Sequence, residues 1–212
     1  MKAYLVKTPQ VVKSLYKDYT WELETDKKEV FLTFDDGPTP IVTNFVLDEL
    51  KKHQAKATFF CIGKNIDRHP DICKQIISED HSIGNHTHNH LNCKKHPLKD
   101  YMDNVLLADK SLAGFLTPNA PKLFRPPYGR ISRKVSKELI NQGYKIIMWD
   151  VLSADFDLTN SAKKCIENVQ KHIKPGSIIV FHDSKKSFPI LKKTLPEILN
   201  FLATENFQCS NL

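Results

Sequence analysis

The sequence predicts a single-domain α/β fold, a distorted (β/α) barrel of seven or eight parallel strands with helices outside it. Three observations lead there. Apolar runs of strand length alternate with amphipathic stretches along nearly the whole chain. The 212 residues suffice for one filled core, and no repeat, low-complexity tract or linker divides them. Residue types that carry chemistry recur just after the strand candidates, where a barrel of this kind builds its site. Residues 1–29 read as an N-terminal extension packed on the barrel, and residues 30–212 as the barrel itself.

The elements follow in order. Residues 30–34 form the first strand, stopped by Gly37-Pro38, and residues 41–53 a helix whose buried stripe is Val42, Phe45, Val46, Leu47 and Leu50. Residues 57–62 are the next strand. A helix over 70–78 opens on proline, and Ile72, Ile76 and Ile77 face inward. Residues 82–85 lead as a short strand into a histidine-rich loop. A long helix over 100–116, a strand over 122–124 and a helix over 132–142 come next, the last ended by Gly143. A strand over 144–151, a helix over 161–173, a nearly all-apolar strand over 176–181 and a helix over 191–202 complete the alternation.

Composition excludes several classes. Net charge is +7, but much of the excess is scattered as lysine pairs, with no arginine-rich stripe, zinc-finger spacing or aromatic RNA-binding motif. A nucleic-acid partner is therefore not expected, although the charge favours an anionic polymer. The five cysteines are widely spaced and form no C-x-x-C pair, so thiolate zinc sites and redox motifs are excluded and reduced thiols are expected. Lysines and Pro9 interrupt residues 1–17, which do not read as a secretory signal; by itself the sequence points to the cytoplasm. No apolar run approaches the roughly 20 residues of a membrane span.

Asp35-Asp36 is the sharpest local feature. Adjacent carboxylates repel, so one of them calls for a metal, a cation or a proton. His86 and His90 stand four apart, on one face if that stretch is helical. One Asp and two His make three protein ligands with room for water, the pattern of a catalytic metal site. Each feature alone has a plainer account. An Asp pair often caps a turn, Arg125 before Pro126-Pro127 can fix a loop, and His182 can be a satisfied structural histidine. Their occurrence together, in order and at strand ends, argues against coincidence.

The order of motifs resembles that of the polysaccharide deacetylases, the NodB homology domain of carbohydrate esterase family four, from about residue 30 to about 202. Thr33-Phe34-Asp35-Asp36 is the first motif, and the resemblance implies Asp35 as general base and Asp36 as metal ligand. His86-Thr87-His88-Asn89-His90 is the second, with His86 and His90 as the other ligands. Arg125-Pro126-Pro127-Tyr128 is the third: Arg125 steadies the base, while Pro127 and the Tyr128 backbone N–H line the oxyanion and substrate side. Val180-Phe181-His182 is the fifth, which makes His182 the general acid.

The fourth motif departs from the pattern D-x-x-D-W. Leu152 stands at the first Asp, the residue taken to orient the acid histidine, and Phe156 replaces the Trp. Asp155 or Asp150 then has that role, Asp155 being favoured, unless His182 works without a carboxylate. The resemblance implies a metal-dependent hydrolase that removes N-acetyl groups from amino-sugar polymers, peptidoglycan GlcNAc or chitin-like oligosaccharides. Zinc suits the ligand set, and cobalt or nickel would fit it. An acetyl-xylan-type esterase and a carbohydrate-binding protein with little turnover are the rival readings. Such substrates lie at the cell envelope, against the cytoplasmic reading of the N-terminus.

Overall fold

The computed structural model describes residues 4–117 and 119–212. Its strands are β1 (Tyr19–Thr20), β2 (Glu29–Asp35), β3 (Ala57–Cys61), β4 (Ser82–Asn85), β5 (Lys122–Phe124), β6 (Tyr144–Ile147), β7 (Val151–Leu152), β8 (Ile178–His182) and β9 (Gln208–Cys209). Eight of them lie along one path in the order β1-β6-β5-β4-β3-β2-β8-β7, and β9 pairs with β2 off that path. Every pairing between these strands is parallel. The helices are α1 (Gln10–Leu15), α2 (Val42–Lys52), α3 (Gly63–Arg68), α4 (Pro70–Ser78), α5 (Leu98–Leu112), α6 (Arg133–Asn141), α7 (Ala162–Gln170) and α8 (Phe188–Thr204).

Alternation along β2 explains why this strand is central. Val30, Leu32 and Phe34 point into the large core shared with α2, α4 and α8, where Phe34 stacks on Phe59 and Phe181 from the flanking strands at 5.2 and 5.8 Å. Phe31 turns to the opposite face, where it meets Phe60, Leu123, Ile147 and Ile178 inside the curled sheet. Thr33 and Asp35 share that inner face by the same period. A sheet buried on both sides makes the strands apolar nearly throughout, with the polar inner positions reserved for the site.

Local chemistry sets most of the boundaries. Ser132 accepts a hydrogen bond from Val135 N–H to cap α6, and Ser161 does the same for Lys164 in α7. Gly143 follows α6 with φ +84°. The long fifth helix begins earlier than the sequence suggests, straight after Pro97, and stops at Leu112 ahead of Gly114. The expected strand over 144–151 is two strands. Its backbone leaves the sheet at residues 148–150, where Met148 N–H donates to Thr20 O and the Asp150 carbonyl accepts from Thr8 N–H. α1, β1, α3 and β9 were not foreseen; β1 and β9 are two-residue strands with too little pattern to read.

The N-terminal segment is woven into the sheet. β1 lies beside β6, and Lys7 forms an antiparallel bridge to Val151 in β7. Among the described residues no helix is long and apolar enough to cross a membrane. Phe34→Ala is expected to cost about 3–5 kcal/mol, the range for emptying a buried aromatic site. Urea unfolding checks this, and a loss under about 1 kcal/mol would remove the Phe34 stack from the centre of the core.

Candidate active site

Arg125 is fully buried and enters the barrel from the end of β5. Its Nη1 donates to Thr33 Oγ1 at 2.6 Å and to Asp35 Oδ1 at 2.8 Å. Nε and Nη2 reach the carbonyls of Ile147 and Met148 at 3.2 and 3.0 Å, and the guanidinium lies 4.1 Å from the Phe60 ring centroid. Burial pushes the Asp35 carboxyl upward, but the charge of Arg125, helped by His86 and His182, outweighs it and holds the group below its ordinary value. Asp35 is thus a desolvated, ionised carboxylate at neutral pH.

Asp36 occupies a different environment one residue on. Its φ of +82° turns the chain out of β2, so the two neighbouring carboxylates do not alternate across the sheet as they would in a strand. Asp183 holds the turn: its side chain accepts from Gly37 N–H at 2.9 Å and from the Thr43 hydroxyl at 2.6 Å, while its own N–H donates to Asp35 O. A Cβ on Gly37 would stand 2.0 Å from Asp183 Oδ2, so only glycine fits.

His86 and His90 converge without a helix. Residues 86–92 are irregular, and Thr87 and His90 have positive φ. The loop is held from below: Asn104 Oδ1 accepts from His88 N–H and Asn89 N–H, Asn85 Oδ1 from Thr87 N–H, and Thr87 Oγ1 from Leu91 N–H. These bonds, and not the helical face that the i,i+4 spacing suggests, bring the two imidazoles together. The imidazole centroids are 5.1 Å apart.

One ligand atom from each of Asp36, His86 and His90 lies within 4.8 Å of the others. His86 Nδ1 sits 2.8 Å from the Arg125 carbonyl, which can only accept, so the ring carries its proton there and turns a lone pair on Nε2 to the cluster. His90 Nδ1 is 3.1 Å from the Tyr128 hydroxyl. Burial keeps both rings neutral at pH 7, lowering His86 and bringing His90 to about 4. Asp36 Oδ1 is buried and has no hydrogen-bond partner among the described residues, 3.2 Å from His90 Nε2 and 3.8 Å from His86 Nε2. An orphaned carboxylate oxygen facing two neutral imidazoles is a donor set that fits a divalent cation.

His182 ends β8 in register with Asp35, so both side chains leave the sheet on the same face. Its Nδ1 lies 2.8 Å from Asp155 Oδ1, and its backbone N–H donates to Asp155 Oδ2 at 2.9 Å. Burial alone would lower this imidazole, but the Asp155 charge and hydrogen bond, with Asp36 and Asp35 adding to them, raise it to about 9. Of the two carboxylates considered for this contact, Asp155 makes it. Asp150 lies elsewhere, fully buried against Lys7, Lys13 and Ser177. Phe156 meets the His182 ring edge-on at 5.0 Å.

Tyr128 has φ +60° within the turn Pro127–Gly129 and an exposed ring over His90, with centroids 4.5 Å apart; Pro127 beside it is buried. The remaining histidines stand apart from the cluster. His81 accepts from Ala57 N–H and is pushed to about 4 by burial, and His53 and His172 bond helix carbonyls. His88 approaches Asp67 at 4.0 Å. Thr33, Asn104, Thr43 and Asp183 were not singled out from sequence as parts of the site. Only the adjacency of Asp183 to His182 offered a signal there.

Residues 22–147 match the polysaccharide deacetylase family. The chain belongs to that family. It is 37% identical over 184 residues to a peptidoglycan-N-acetylglucosamine deacetylase of Bacillus cereus, covering 84% of this chain and 85% of the relative. A chitooligosaccharide deacetylase of Bradyrhizobium sp. is 31% identical over 156 residues, 74% of this chain and 71% of that one. A solved peptidoglycan N-acetylglucosamine deacetylase superposes with a TM-score of 0.87 at 34% identity, covering 97% of this chain and 95% of the other. The chain is therefore a polysaccharide deacetylase, a hydrolase of carbohydrate esterase family four, with the family's curled parallel sheet.

In this deacetylase Leu152 is buried beside Ala154 and Val180, an apolar cluster that accepts the fourth-motif change without an unpaired charge. The five cysteines are buried. Arg125→Met is expected to destabilise the fold by about 3–5 kcal/mol, because the buried Asp35 charge loses its partner. Denaturant unfolding measures it, and near-wild-type stability would show that the ion pair is dispensable to the barrel.

Proposed function

We propose that this deacetylase removes N-acetyl groups from N-acetylglucosamine residues of peptidoglycan with one divalent ion, zinc being best suited, held by Asp36, His86 and His90. The reading rests above all on Asp36 Oδ1, buried and orphaned before two neutral imidazoles while Asp35 beside it is paired with Arg125. Cobalt or nickel would suit the same donors. Peptidoglycan is favoured over chitooligosaccharides by the higher identity to the Bacillus cereus relative. The positive net charge favours approach to an anionic wall, and a peptidoglycan substrate implies action at the cell envelope.

When bound, the ion would supply Lewis acidity, lowering the pKa of a water and polarising the acetyl carbonyl. Asp35 takes the proton of the attacking water; Arg125 keeps it ionised and fixes its orientation. The Tyr128 N–H, set by its positive φ after Pro127, donates to the developing oxyanion. His182, charged and aligned by Asp155, gives its proton to the leaving amine. Phe156 shields that imidazole on one side.

The test is acetate release from peptidoglycan and from N-acetylchitooligosaccharides by metal-stripped protein, before and after zinc is restored. Asp36→Ala should lose both metal and activity. Asp35→Asn should keep metal and lose about 10²–10⁴ in turnover, the range for a general base. Release restored by zinc from peptidoglycan supports the reading; metal bound with no release from either glycan overturns it in favour of an ester substrate or a binding role.

The acid has its own test. Activity requires charged His182 and should fall as pH rises through about 9. Asp155→Asn should bring that alkaline limb down toward about 6.5, the ordinary imidazole value. The same shift carries a stability sign: a pKa raised from 6.5 to about 9 contributes stability fully below 6.5, lost as pH climbs through about 9. An alkaline limb unmoved by Asp155→Asn would remove His182 as the titrating acid.

A further inference from the structure

We propose that the N-terminal segment, residues 4–20, is part of the proton-donating machinery: it closes the seam between β6 and β7, and through Tyr4 it holds the loop that presents Asp155 to His182. Tyr4 is then a positioning residue. The proposal rests on the deacetylase reading above for its reaction, but its geometry stands apart from the metal site.

The seam is visible in the pairing. β6 and β7 are consecutive in the chain, yet β6 pairs with β5 and β1 while β7 pairs with β8. The N-terminal segment spans the interval. Leu152 N–H donates to Val6 O at 2.8 Å, Thr8 N–H to Asp150 O at 2.9 Å, the Thr8 hydroxyl to Trp149 O at 2.7 Å, and Met148 N–H to Thr20 O at 2.8 Å. A buried clamp fastens it. Lys13, only 8% exposed, and Lys7 both reach the fully buried Asp150 at 2.5 Å, and Ser177 donates to the same carboxylate. Lys13 also meets Glu22 at 2.5 Å, and Lys7 donates to the His172 carbonyl. Buried lysine and aspartate charges persist only when paired, so the segment and the seam hold each other in place.

Tyr4 extends this clamp to the acid. Its hydroxyl donates to Asp157 Oδ2 at 2.6 Å and accepts from Asn160 Nδ2 at 3.0 Å, and the same amide donates to Ala154 O at 2.9 Å. These bonds tie the loop over residues 154–160, where Ala154 takes φ +63° just before Asp155. The Tyr4 ring meets Phe156 edge-on at 5.2 Å, and Phe156 meets His182 at 5.0 Å. Asp155 and Phe156, the two neighbours of the imidazole, therefore sit on a loop that an N-terminal residue helps to hold. Residue 4 precedes the span matched to the family, and the loop follows it.

The experiment uses the full chain loaded with zinc, comparing wild type with Tyr4→Phe and Tyr4→Ala. Tyr4→Phe keeps the ring against Phe156 and deletes only the hydroxyl. Expected is an about tenfold fall in kcat with KM unchanged, inside the hundredfold that an ångström of misplacement can cost. Tyr4→Ala should fall further. The readout independent of turnover is the His182 Nδ1 proton resonance in histidine-labelled protein, which should shift or broaden in Tyr4→Phe as the Asp155 contact loosens. Wild-type kcat together with an unchanged resonance would overturn the proposal, as would a change confined to KM. A wild type that releases no acetate while the Tyr4→Phe resonance still shifts would overturn the deacetylase reading and leave the positioning role standing.

Discussion

A fully buried guanidinium inside a small barrel is the constraint on which the rest of the molecule depends. Arg125 sits on the face that other barrels fill with apolar layers, and its donors must all be answered there. Four bonds come from two strands and the chain just beyond β6: Thr33 and Asp35 in β2, Ile147 at the end of β6, and Met148 beyond it. Each bond fixes one strand end relative to the others. Phe60 covers the planar face, so the charge is held without water on that side. The ion pair is no simple source of stability, since desolvating both partners is costly. What it provides is registration of the strand ends and an ionised carboxylate in a dry place.

That registration lets two neighbouring aspartates do different things. Asp35 remains on the inner face, satisfied by Arg125. Asp36 turns out of the strand, and its Oδ1 is left facing two imidazoles with no hydrogen-bond partner among the described residues. Their environments differ although they are adjacent, a division that sites use to give like groups unlike roles. Asp183 maintains it mechanically by gripping Gly37 and the start of α2 through Thr43. The turn cannot relax without moving the strand that carries His182 next door.

Much of this was legible in the sequence, for identifiable reasons. The strands β2, β3, β4 and β5 are short apolar runs bounded by turn residues, and their limits follow from period and punctuation. The Asp, His and Arg of the site stand at the ends of those strands, where motif order locates them. Illegible were the features that depend on partners distant in the chain. The break between β6 and β7 answers to Thr8 and Thr20, more than 120 residues earlier. Convergence of His86 and His90 depends on Asn104 beneath the loop, and nothing in the histidine stretch announces it. Positive φ at Asp36, Thr87, His90, Tyr128 and Ala154 shows the same thing. Such backbone is uncommon outside glycine and persists only where surroundings over-determine it, which local propensity cannot report.

The altered fourth motif follows from the same dependence on distant partners. Leu152 points into an apolar cluster with Ala154 and Val180, so a carboxylate there would have to be paired or expelled. The imidazole nonetheless has a complete environment. One oxygen of Asp155 lies against its Nδ1 and the other accepts its backbone N–H, so a single carboxylate fixes both ring and main chain. The position of that carboxylate depends in turn on the loop over 154–160, which Asn160 and Tyr4 tie to Ala154 and to the N-terminal segment.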